Sequence, residues 1–142
     1  NKRLIIFAYV IMSNHIHLLA QSENNDLGAT IRDFKSYTSK IFLELLNNCN
    51  ESRGDWMRMI FEFNGQFKNG QNNQIWTHEN HAVQIYSQKF IEQKVDYIHD
   101  NPVRAGIVAK PEHYIYSSAR NYAGLESVLD TVVVDLRWKI IR

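Results

Sequence analysis

Two histidines one residue apart, His15-Ile16-His17, are the first residues whose types and spacing suit chemistry. Side chains at i and i+2 of a strand leave the same side. The pair projects together, about 6.6 Å apart at the backbone, and two neutral imidazoles can converge on one metal ion. Ile16 and Leu18 point the other way, to the face the sequence assigns to the core. A bare His-x-His is more often a pair of surface residues, and two ligands are an incomplete coordination sphere. Here the pair follows a tight Ser13-Asn14 turn between two apolar strands, a rigid base for a site.

A second constellation lies at Tyr97 and Asn101. Helical spacing places Tyr97 at the edge of an apolar stripe, roughly 90° from its centre. Asn101 follows four residues later, one turn on and on nearly the same face. The helix alone favours a packing tyrosine with a wet tip. His78, Glu79 and His81 form another cluster, but their spacing does not put all three on one strand face, so it is a weak metal site. His99 and His81 suit proton carriers, and more simply polar surface residues.

These residues need elements to hold them. Leu4 to Met12 is short, apolar and rich in β-formers, a buried strand. Ser13-Asn14 turns the chain into a second strand, His15 to Ala20, so a hairpin is expected. Asn24-Asn25-Asp26 supplies N-cap candidates for a long amphipathic helix from about Leu27 to Leu46. From Asn47 to Asn80, asparagines and glycines mark loops. Within that stretch Asp55 to Phe63 is a short helix or a strand, and Gly65 to Gln74 looks mobile. His81 to Tyr86 reads as a strand. Ser87 caps a helix from about Gln88 to His99, which Asn101-Pro102 limits, because a residue before proline avoids the helical region. An apolar run, Val128 to Val134, and Trp138 end the chain.

Strand, strand, helix, strand, helix points to an α+β sandwich with an antiparallel sheet. The 142 residues suit one domain, 1–142, with enough apolar mass for a core. Net charge is +1, so any DNA-binding face must come from the distribution of charge rather than its total. The single cysteine, Cys49, excludes an intrachain disulfide and a Cys-based zinc site, and fits a reducing, cytoplasmic setting. Leu4 to Met12 is too short to span a bilayer, so no membrane partner is expected. The chain starts on Asn1 ahead of a strand, which suggests an N-terminal truncation.

Four blocks occur in order: Met12-Ser13-Asn14-His15-Ile16-His17-Leu18-Leu19, Ile31-Arg32-Asp33-Phe34-Lys35-Ser36-Tyr37-Thr38, Asp96-Tyr97-Ile98-His99-Asp100-Asn101-Pro102-Val103-Arg104-Ala105-Gly106, and Tyr114-Ile115-Tyr116-Ser117-Ser118-Ala119-Arg120. Together they resemble the IS200-like HUH single-tyrosine transposases, in the REP-associated tyrosine transposase branch, from about Phe7 to Tyr122. The resemblance implies a ferredoxin-like sandwich with helices on one face, its first strand and helix absent from this chain. It implies Mg²⁺ or Mn²⁺ on His15 and His17, with Asn101 at the position of a third ligand; an amide oxygen suits a hard cation. It implies that Tyr97 attacks a DNA phosphate, giving a 5′-phosphotyrosine and a free 3′-hydroxyl, and that the substrate is a hairpin-forming single strand. The segment from Asn47 to Gln74 is longer than that core requires.

Phosphate contacts are expected from Arg32, Lys35, Lys40, Arg104, Lys110 and Arg120, supplying affinity and salt dependence rather than sequence choice. Tyr114 and Tyr116 suit base stacking, or packing. No Gly-Lys-Ser/Thr is present, so no Walker A site is expected. The alternatives are a metal-dependent phosphoesterase using water and a non-catalytic or domesticated nucleic-acid-binding relative. Monomer and homodimer are both open.

Overall fold

The computed structural model describes residues 4–48, 51–67 and 72–135. Cys49, Trp138 and positions 68–71 of the expected loop lie outside the described residues. The chain is α+β. It divides into two compact units. One joins the N-terminal segment through Asp26 to everything from Gln84 onward, and the other is Leu27–Val83.

In the first unit, β1 (Leu4–Ile11) pairs antiparallel with β2 (Ile16–Ser22). The turn closes with Met12 N–H donating to the His15 carbonyl at 2.9 Å. The register sets Val10 opposite His17 and Ala8 opposite Leu19, with an irregularity between Ile6 and Ala8 that leaves Phe7 unpaired as a bulge. The far edge of β1 is also used. Val10 bridges to Ser117, Ile11 N–H donates to the Tyr116 carbonyl, and Val132 N–H donates to that of Ile6. Among the described residues the sheet itself has two strands.

Helix α3 (Gln88–Arg104) covers one face of the hairpin. Ser87 caps it, its hydroxyl accepting from Phe90 N–H. Val95 and Ile98 pack with Ala8 and Val10 as the core, with Met12, Leu19 and Ile91 against them. This corrects the expected orientation of the sheet. Directly opposed residues share a face, so His17 and Leu19 lie on the helix side with Val10 and Ala8. Leu18 is exposed instead. Because β1 is apolar on both faces, alternation could not say which face the helix would cover.

The helix also runs further than expected, through Pro102 to Arg104. Its end is set by Gly106, at φ +71°. Gly106 N–H donates to the Val103 carbonyl and Ile107 N–H to that of Pro102. This pair of bonds with a left-handed glycine is a Schellman stop, and it follows a proline whose ring is fully buried. Residues 81–86 form no strand. His81 has φ +45°, outside the extended region. A 3₁₀ turn, Pro111–His113, and a short helix, α4 (Ala119–Tyr122), complete this unit.

The second unit is a helix pair, α1 (Leu27–Asn48) and α2 (Gly54–Gln66). Arg58 joins them, donating to the Leu46 carbonyl while its other nitrogen meets Asp55 at 2.6 Å. Trp76 lies against Phe34 and Phe42 of α1 and donates to Thr38 Oγ1. Gln74 N–H bonds the Phe61 carbonyl.

Candidate active site

His15 and His17 leave the same side of the hairpin as α3, with ring centroids 4.9 Å apart and nearly perpendicular. The Tyr97 ring stands 5.3 Å from that of His17. Asn101, one turn on, is close enough to favour the protonated form of the His17 ring. The structure therefore gathers His15, His17, Tyr97 and Asn101, which lie far apart in sequence, at one end of the hairpin–helix interface.

Each polar atom has a defined task. Asn101 Nδ2 donates to the Tyr97 carbonyl at 2.8 Å, and its Oδ1 remains an acceptor. His15 Nδ1 lies 2.7 Å from Asn14 Oδ1. An acceptor there fixes the proton on Nδ1 and leaves the Nε2 lone pair for a ligand. Burial holds His17 below the usual histidine pKa, assisted by His15 and Lys94 and opposed by the Asn101 hydrogen bond. A neutral ring is the ligating form.

Among the described residues no group of three or more His, Cys, Asp or Glu side chains could hold a metal. Two imidazoles and an amide oxygen are a different donor set. The two rings and the Asn101 amide gather around Tyr97, and each carries a neutral donor atom. Nitrogen with a hard neutral oxygen suits Mn²⁺ or Mg²⁺ with an open remainder of the sphere.

The predicted DNA-contacting residues scatter. Arg104 alone reaches the tyrosine, its guanidinium carbon 5.5 Å from the Tyr97 ring centroid. Lys110 precedes the 3₁₀ turn and is exposed. Arg120 is spent on structure, donating to the carbonyls of Glu126 and Glu112. Arg32, Lys35 and Lys40 belong to the second unit. There Arg32 sits beside Asp33, Lys35 donates to the Thr77 carbonyl, and Lys40 is exposed. Tyr114 anchors its hydroxyl on the Ile11 carbonyl, and Tyr116 is half exposed beside it. His99 is neither a surface residue nor at this site: it is buried, with Nε2 2.8 Å from Ser118 Oγ and its ring against Tyr122. His81 is exposed beside Glu79.

Two residues of the site escaped the sequence reading. Asn14 stands directly before His15, where turn chemistry masked it. Lys94, one turn before Tyr97, lies 5.7 Å over the Tyr97 ring and 5.1 Å over Phe90. Helical i−3 spacing from Tyr97 was the available signal. No family model, curated protein or solved structure matches this chain.

Proposed function

We propose that this chain is an IS200-like HUH tyrosine transposase that cleaves and rejoins single-stranded DNA through Tyr97, on a ferredoxin-like framework. The observation that carries the proposal is the approach of Tyr97 to His17 at 5.3 Å with His15 and Asn101 beside them. The ordered sequence blocks supply the substrate class, a hairpin-forming DNA strand.

Tyr97 is half exposed on a helix whose opposite face is buried core, so its hydroxyl is presented by a rigid element. A phenol has a reference pKa of about 10, so it must lose its proton as it attacks. Its oxygen forms a bond to phosphorus while the bond from phosphorus to the 3′-oxygen breaks. The phenolic proton passes to solvent, and the 3′-oxygen takes up a proton. His15, His17 and Asn101 would hold a divalent cation. When bound, Mg²⁺ or Mn²⁺ would offset phosphate charge and orient the phosphorus for in-line attack. The covalent ester conserves the bond for rejoining, with no nucleotide cofactor.

The test is covalent trapping. The protein is incubated with a labelled hairpin oligonucleotide and Mn²⁺, then denatured. A protein–DNA adduct is expected, and none with Tyr97→Phe. Cleavage that survives Tyr97→Phe would mark a phosphoesterase using water. Binding without cleavage in any metal would mark a non-catalytic module.

A further inference from the structure

Tyr97 lies between two cations on its own helix. Lys94 Nζ lies over its ring and that of Phe90, and the Arg104 guanidinium approaches the same tyrosine ring. Neither cation has a hydrogen bond or an ion pair to a carboxylate among the described residues. Lys94 is half-buried, and its charge is felt at His17. An ammonium held over aromatic faces stays available to an anionic ligand. The ligand must be anionic, and it must reach the tyrosine.

We infer that Lys94, with Arg104 at the same tyrosine ring, is a catalytic residue that binds the scissile phosphodiester and offsets the charge that grows on it as Tyr97 attacks. The inference rests on the reading of Tyr97 as nucleophile. A phosphodiester carries one negative charge and gains a second as the phenolate adds. A cation fixed at the ring of the attacking tyrosine is worth more at that stage than in the bound ground state. The same ammonium serves rejoining, since the phenolate is then the leaving group and again collects charge. Lys94 therefore differs from a general DNA-binding lysine, whose loss weakens binding and leaves the bound complex reactive.

The experiment compares wild type, Lys94→Gln and Lys94→Arg. Single-turnover adduct formation is measured at saturating oligonucleotide, and binding by fluorescence anisotropy across a salt series. Lys94→Gln is expected to slow adduct formation about 100-fold at saturation. Its plot of log affinity against log salt should flatten by about 0.7, one single-strand phosphate contact. Lys94→Arg should restore most of the rate, because it keeps the charge. A wild-type rate in Lys94→Gln overturns the inference and leaves the transposase reading standing. So does a Lys94→Arg rate as low as that of Lys94→Gln, which would make the residue a packing element. Absence of an adduct in wild type, under conditions where DNA binds, removes the nucleophile reading and the inference together. Lys94→Arg keeps the comparison decisive if Lys94→Gln folds poorly.

Discussion

His15 offers one ring nitrogen to a ligand because Asn14 occupies the other at 2.7 Å. Partners of this kind fix the tautomer and raise the basicity of a metal-binding imidazole. Asn14→Ala is therefore expected to weaken Mn²⁺ binding about 10-fold in titration calorimetry. Asn14→Asp keeps an acceptor and should bind at least as well as wild type. Equal affinity in wild type and Asn14→Ala would reduce the contact to a turn hydrogen bond. The chemistry of the three candidate ligands is consistent in another respect: all are neutral. A cation held by two imidazoles and an amide keeps its double charge undiminished toward phosphate, as carboxylates would not allow.

At the scale of elements, α3 does most of the positioning. Lys94, Tyr97, Asn101 and Arg104 occupy one side of it, and Val95, Ile98 and Pro102 the buried side. The hairpin, helix α1 and the Ser87 cap were legible in sequence because each depends on local periodicity or turn chemistry. The far end of α3 was not. Asn101-Pro102 argued for a stop, whereas the two bonds around Gly106 decide it. Nor was the strand at 81–86 real: among the described residues its apolar side chains have no partner strand, and sheet structure requires one. The second unit offers its own test at Gly65, buried at the end of α2. A Cβ there would lie 2.7 Å from the backbone of Asn72 and Asn73. Backbone cannot swing aside as a side chain does, so Gly65→Ala should cost about 1–3 kcal/mol in denaturant unfolding. An unchanged midpoint would show that residues 72–73 yield freely.

Across the whole molecule, polar bonds tie distant parts of the chain together. The Tyr122 hydroxyl donates to the Phe7 carbonyl and accepts from Val134 N–H, binding the first strand, α4 and the C-terminal segment of the first unit. Burial raises its pKa above the usual value of 10.0, partly offset by the bond from Val134. The folded state thus prefers the neutral phenol. That preference contributes fully below about pH 10 and is lost as pH rises through the raised folded value. Alkaline melting temperatures should therefore fall from about pH 10 upward. Tyr122→Phe should flatten that limb and lower stability at neutral pH by about 1–2 kcal/mol. A limb of the same slope in Tyr122→Phe would assign the alkaline loss to other groups. No helix among the described residues is long and apolar enough to cross a membrane.

The proline that α3 accommodates also bears on how the site ages. Asparagine slowly turns to aspartate when the next residue's backbone nitrogen attacks the side-chain amide and closes a five-membered imide. Pro102 has no N–H with which to do so. Asn101 is thereby shielded from the commonest spontaneous damage to its residue type. Such damage would replace the Nδ2 donor with a second oxygen facing the Tyr97 carbonyl and bring a negative charge beside the Tyr97 ring. The Asn101-Pro102 step preserves the chemical identity of the amide over the lifetime of the protein.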